Sequence, residues 1–239
     1  MRVVSLVPSA TETLLALGVT PVACTRFCGQ PDLPHVGGTK DPDVAAIALL
    51  GPDLVVVNDE ENRSEDAERL RRLGVTVHEM SPRSAADVGP VVTALAEAVG
   101  AKLPEPFAPG QWAAWLDGRR RTRPGQPRRV FVLVWRRPWM TLAGDTYGSS
   151  LLQLLGYWNV FSGKGLRYPP VTLEEAAVRH PAVVLLPSEP YPFAERHVGE
   201  VAAAFPGAEV ALVDGQDLFW WGIRTPGAAE RLAAALTGA

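Results

Sequence analysis

Apolar residues along this chain fall into two alternating kinds of run. Short, nearly unbroken stretches at 2–7, 54–57 and 182–186 read as strands buried on both faces. Between them, apolar positions recur every three or four residues, the period of a helix with one covered face. In order, the first 82 residues predict a strand over 2–7, a helix capped by Ser9 or Thr11 and ended by Gly18, and a strand over 20–24. A short helix over 43–50, a central strand over 54–57, a helix over 64–73 stopped by Gly74 and a strand over 76–80 follow. The spacing of Val88, Val91, Val92, Leu95, Ala96 and Val99 predicts a helix over 84–100. A proline-rich bend over 103–109 leads to a helix over 111–121 with Trp112, Trp115 and Leu116 on one face. The alternation then resumes: a strand over 129–135, helices over 149–155 and 173–179, a strand over 182–186, a helix near 194–205, a strand over 209–213 and a closing helix over 226–236 with Pro226 in its first turn.

Strands alternating with helices make mainly parallel sheets covered on both faces, so the predicted class is α/β. The order of elements also repeats. Residues 9–18 are echoed by 145–156, and 43–53 by 172–182; each second segment runs through a Pro into a buried strand, then into Asp59-Glu60-Glu61 or Ser188-Glu189. Two similar lobes, 1–82 and 128–239, are expected on either side of a helical connector over 83–127, with a ligand cleft between them.

Composition adds limits. With 239 residues, 47% hydrophobic and 21% charged, the chain can build a globular core. A net charge of −3 gives no general attraction to nucleic acid, and the six arginines within 119–129 stand among Pro124, Gly125 and Pro127 without interleaved aromatics, as in a solvated linker. Charged residues or prolines interrupt every apolar run before membrane-spanning length, so no membrane insertion is expected. The opening residues read as a strand, with Glu12 where a secretory signal needs its apolar core. As written the chain reads as cytoplasmic; a longer precursor would make it periplasmic or extracellular. Cys24 and Cys28 are too few for a disulfide framework and do not complete a zinc site, and the four histidines form no helical ligand pair; buried or loop thiols and no metal are the expectation.

Exposed side chains of an α/β sheet converge beyond the carboxyl ends of its strands. In the second lobe those loops carry Trp135, Trp139, Tyr147, Tyr168, Tyr191, Trp220 and Trp221, a set of rings suited to a large, flat or amphipathic ligand. Arg26, Lys40, Arg136, Arg224, Asn62 and the backbone near Ser9 supply hydrogen-bonding groups for its rim, and Phe27 stands beside Arg26. Ser9 reads as a helix cap rather than a nucleophile, because no histidine has a sequence reason to meet it. Glu60 and Glu189 end equivalent strands; an acid/base pair is one reading, and rim contact with a ligand or partner is the preferred one. The chain has no nucleophile elbow, phosphate loop or dinucleotide fingerprint, so an enzyme is not expected.

The phrases Val3 to Glu12, Gly37 to Asp43, Pro52 to Val56 and Pro181 to Leu186 resemble the cobalamin-binding and iron-siderophore-binding proteins of ABC importers, the helical-backbone metal receptor superfamily. The opening phrase is similar above all to the cobalamin-binding branch. The resemblance implies two Rossmann-like lobes joined by a single rigid helix that includes 111–121, with the ligand between the lobes. It implies a corrinoid such as cobalamin, or alternatively a ferric siderophore or haem, as ligand, with no cofactor required. It further implies a monomer, a possible ABC permease partner, and Glu65 and Glu195 as the acidic residues that dock on it. An enzyme or cytoplasmic handler acting on a bound corrinoid precursor is the alternative. The chain departs from the family in lacking an export signal, and Pro109 and Gly110 are expected to shorten or bend the connecting helix.

Overall fold

The computed structural model describes residues 1–122 and 125–237, so Arg123 and Pro124 of the arginine-rich linker lie outside the described residues. The chain divides into two compact units. Unit 1 comprises Met1–Pro82, Asp87–Trp112 and Trp221–Arg224. Its elements are β1 (Val3–Ser5), α1 (Pro8–Ala16), β2 (Ala23–Cys24), α2 (Val44–Leu49), β3 (Leu54–Val57), α3 (Ser64–Arg72), β4 (Val77–Glu79) and most of α4 (Ala85–Val99). The four strands form one parallel sheet in the order β2-β1-β3-β4, with Val4 opposite Ala23 on one side and Val55 on the other. Every residue of β1 and β3 is buried, which is why these segments read as unbroken apolar runs. Val4, Leu6, Val55 and Val57 pack with Ile47 of α2 and Leu70 of α3.

Helix α1 corrects the expected cap. It begins at Pro8, whose fixed φ and missing N–H suit a first helical position, and no side chain caps it. Ser9 is buried inside the first turn. The Thr11 and Thr13 hydroxyls donate back to the carbonyls of Val7 (3.1 Å) and Ser9 (2.8 Å). Helix α2 has the cap its sequence announces, with Asp43 Oδ1 accepting from Ala46 N–H at 2.9 Å.

Unit 2 comprises Arg83–Ala86, Ala113–Trp220 and the chain from Thr225 onward. It contains most of α5 (Gln111–Thr122), then β5 (Arg128–Trp135), β6 (Met140–Thr141), α6 (Tyr147–Leu154), β7 (Tyr157–Asn159), α7 (Leu173–Ala177), β8 (Val183–Pro187), α8 (Glu195–Ala204), β9 (Glu209–Val213), α9 (Gly215–Phe219) and α10 (Thr225–Thr237). The sheet order is β6-β5-β8-β9. Along one edge of β5, β7 pairs in parallel with its first half and β6 pairs antiparallel with its second. Phe131 anchors the core, with its ring centroid 5.5 Å from those of Phe161 and Phe205. Pro109 and Gly110 end the preceding loop, and α5 starts directly after them.

The repeat seen in the sequence is a repeat of topology. Counting the parallel strands alone, which leaves out β6, the first strand of each unit sits centrally, the second pairs with one side of it, the third with the other, and the fourth adds outside the third. The entry into the third strand matches to the hydrogen bond. After α2, Gly51 takes a positive φ of 57° before Pro52, and Asp53 N–H donates to Arg2 O at 2.8 Å. After α7, His180 takes a positive φ of 47° before Pro181, and Ala182 N–H donates to Arg129 O at 2.8 Å. Only glycine enters this left-handed region without a Cβ clash, so His180 is strained where Gly51 is not. We expect His180→Gly to stabilise the protein by about 1 kcal/mol and Gly51→Ala to destabilise it by a similar amount, read as opposite shifts of the urea midpoint.

Candidate functional site

In unit 1 the loops at the carboxyl ends of the strands are tied together by two buried asparagines. Asn62 Oδ1 accepts from Asn58 N–H (2.8 Å), and its amide donates to the carbonyls of Leu6 (3.2 Å) and Thr39 (2.9 Å), joining the loops that follow β1, β2 and β3. Asn58 closes a turn by accepting from the N–H groups of Glu60 (2.8 Å) and Glu61 (3.0 Å), and donates to Met80 O at 2.7 Å. Lys40 Nζ donates to Glu60 O at 2.6 Å, so Lys40 and Glu60 meet through the main chain. A polar pocket of about 350 Å³ lies here, lined by Lys40, Asn58, Asp59, Asn62, Arg63 and Glu65 among others. The role of Asn62 is that of a clamp, and Asn58 completes it. The available sequence signal for Asn58 was an asparagine ending a buried strand ahead of a polar turn.

The remaining first-unit candidates are ordered by neighbours close at hand. Arg26 reaches Asp41 at 3.1 Å and lies over the ring of Phe27, 4.8 Å from its centroid; Phe27 itself is 54% exposed. Arg224 forms a two-point pair with Glu12 of α1 at 2.6 and 3.1 Å, beside the Ile223 N–H to Thr13 Oγ1 bond of 3.3 Å. Trp221 is buried, which corrects its assignment to a presented ring set, whereas Trp220 is half-buried.

Unit 2 brings three of its candidate rings, Trp135, Trp139 and Tyr191, into one cluster around Phe193. Trp135, the last residue of β5 and 42% exposed, stands edge-on to Tyr191, with centroids 5.6 Å apart at 77°. Tyr191 packs on Phe193 at 4.7 Å, and Trp139 stacks on Phe193 at 6.4 Å and 7°. Arg136 lies over Trp139 and is paired with Glu200 at 2.7 Å. Glu189 is fixed by the indole N–H of Trp220 at 2.5 Å, so its carboxylate orients a ring. Tyr168 is 36% exposed in the loop that pairs along β6, where Thr141 N–H bonds to Pro169 O. Tyr147 does not join these rings. It stands in the first turn of α6, buried, with its hydroxyl 3.0 Å from Thr225 Oγ1 of α10, a core position that its sequence neighbourhood did not disclose.

Glu65 and Glu195 are both exposed in the first turns of α3 and α8, helices that occupy equivalent places in the two units. Behind the ring cluster, His197 is buried, touches Tyr191 and Phe193, and accepts the Ala194 N–H on Nδ1 at 3.0 Å. Burial, helped by Arg196 and Arg136, pushes its pKa below the usual histidine range. Burial does the same to His78. Among the described residues no group of three or more His, Cys, Asp and Glu is placed to hold a metal, and no helix is long and apolar enough to cross a membrane.

Comparison with known proteins shows what the chain is similar to. Residues 3–104 match the periplasmic binding protein family, and the whole chain has the fold of such proteins, as the resemblance of its opening phrases implied. Among curated proteins, a vitamin B12-binding protein of Vibrio cholerae serotype O1 is 27% identical over 194 residues, 77% of this chain and 69% of its own length. The crystal structure of the periplasmic vitamin B12 binding protein of Vibrio cholerae superposes with a TM-score of 0.81 at 24% identity, covering 99% of this chain and 96% of that one. The periplasmic heme binding protein of the same organism superposes with a TM-score of 0.79 at 22% identity, covering 99% and 98%. These two structures establish the fold.

Two predictions follow from the anchoring residues. Asn62→Ala leaves buried carbonyls and an N–H without partners, so it should cost about 2–3 kcal/mol and speed amide exchange selectively in residues 38–40 and 58–63. Because the folded-state pKa of His197 and His78 is lowered, the unfolded chain binds more protons near pH 6. Their contribution to stability is complete above the ordinary histidine value and is lost as pH falls through it toward the lowered folded value. The urea midpoint should therefore drop between about pH 7.5 and 5.5, and less steeply in His197→Asn, which keeps an acceptor for the Ala194 N–H without titrating.

Proposed function

We propose that this chain binds a corrinoid, cobalamin or a close relative, for delivery to an ABC permease. The observation that carries the reading is the exposure of Phe27, Trp135 and Tyr168 at strand-end loops in a fold shared with vitamin B12-binding and heme-binding proteins. Charge supports a corrinoid over haem. The three arginines expected at the rim are already matched, Arg26 by Asp41, Arg136 by Glu200 and Arg224 by Glu12, and the Lys40 ammonium donates to the Glu60 carbonyl. Such a rim favours a ligand whose periphery is made of amides over one that presents carboxylates. Ser9 is buried in a helix and Glu189 accepts from the Trp220 indole, so two of the residues named for the enzymatic alternative have structural partners.

Glu65 and Glu195 are proposed as the permease-facing pair, because each is exposed at an equivalent helix start where arginines of a partner can reach it.

Isothermal titration of the apo-protein with cobalamin, cobinamide, haem and a ferric siderophore tests the reading. Saturable binding of cobalamin and cobinamide is expected, with Trp135→Ala and Tyr168→Ala each weakening it roughly tenfold. Silence with all four ends the proposal, and tight binding of haem without the corrinoids overturns the amide-rim argument.

A further inference from the structure

We infer that Asp41 is a specificity-determining residue: by occupying the guanidinium of Arg26, it keeps ligands that present carboxylates off the loop that carries Phe27. The inference rests on the reading of this loop as ligand-binding. Its geometry begins with the main chain. Arg26 N–H donates to Gly37 O at 3.0 Å, which lays residues 25–28 beside the turn over 37–42. That turn is closed by an antiparallel bridge between Gly37 and Pro42, and Gly37 takes a φ of 93°. A Cβ on Gly37 would run into Asp41 O, so glycine is what lets the turn close so tightly. Asp41 is thereby carried back to Arg26.

Three surfaces then seat the guanidinium. Arg26 donates to Asp41 at two points, from Nη2 to Oδ1 at 3.1 Å and from Nη1 and Nη2 to Oδ2 at 3.3 Å. The Phe27 ring lies against it, with its centroid 4.8 Å from Arg26 Cζ. The bare Cα of Gly38 makes the third side, since a Cβ there would stand 2.7 Å from Arg26 Nη2 and collide with Asp41 Oδ1. A fork held by a ring and by bare main chain is shaped for a carboxylate in two parallel bonds. Asp41 takes the position that a ligand carboxylate would take. The two side chains are 49% and 60% exposed, so the pair stands in water and adds little to stability. Its effect is on selection. A ligand carboxylate must displace Asp41 or meet its charge, whereas an amide can accept from the guanidinium and donate to the Asp41 oxygens.

Haemin and its dimethyl ester read this directly, because they share ring and iron and differ in whether their carboxylates are charged. Each is titrated, by quenching of tryptophan fluorescence, into the native chain, Asp41→Asn, Asp41→Ser and the double variant Arg26→Gln/Asp41→Asn. Both single variants should bind haemin about tenfold more tightly than the native chain does, while their affinity for the ester changes by less than about twofold. The double variant should lose the gain. Equal gains on haemin and ester, or no gain on haemin, overturn the inference. So does a gain that survives the loss of Arg26, as it would if Lys40 read the carboxylate, and so does the absence of measurable haemin binding throughout. Cobalamin titrated into the native chain reports separately on the corrinoid reading: its silence beside a selective haemin gain refutes that reading and leaves Asp41 its role.

Discussion

A parallel sheet covered on both faces leaves its strands nothing polar to offer, and the rest of this structure follows from that constraint. The buried stretches of the central strands in both units are almost entirely valine, leucine and phenylalanine. Chemistry is thereby displaced to the strand ends, where neighbouring strands stop at different heights and their last main-chain groups need partners. Asparagines meet that need. Asn62 and Asn58 do so in unit 1; in unit 2, Asn159 at the end of β7 bonds to Leu142 O and to the Phe161 N–H. The loops most able to hold a ligand are thus kept in one conformation by side chains that do not themselves face outward.

The same logic governs the rings of unit 2. Tyr191, Phe193, Trp139 and His197 lean on one another, and Trp135 stands against this base with part of its surface uncovered. A ring held this way loses little freedom when something lies against it. Arg136 and Glu200 add a matched charge beside the base, which holds the guanidinium over Trp139 without creating a field that draws anions.

Much of the fold was legible because period and turn chemistry agreed. The bounds of β3 and β9 match the sequence expectation, and most helices differ from it by one or two residues. Elements that escaped were those defined from far away or by very few residues. β6 is two residues long and exists through its pairing with β5, and α9 is five residues fixed by Asp214 at its start. At the site, topology told which loops matter but not which side chains turn inward. Trp220 and Trp221 are adjacent and identical in kind, yet one reaches Glu189 and the other is buried. Tyr147 and Tyr168 both occupy loop or helix ends, and only the distant Thr225 marks the first as internal. The pairings of Arg224 with Glu12 and of Arg136 with Glu200 join residues 212 and 64 positions apart, beyond the reach of any local pattern.

The segment Trp221–Arg224 has a practical meaning for anyone who wishes to dissect the molecule. Four residues near the carboxyl terminus are integral to the amino-terminal unit, where Arg224 and Ile223 hold the first helix through Glu12 and Thr13. A fragment ending after Trp112 would start life without its last stitch. Grafting that tetrapeptide back by a short glycine-rich tether, or permuting the chain so that it precedes Met1, is the rational way to obtain the amino-terminal unit alone.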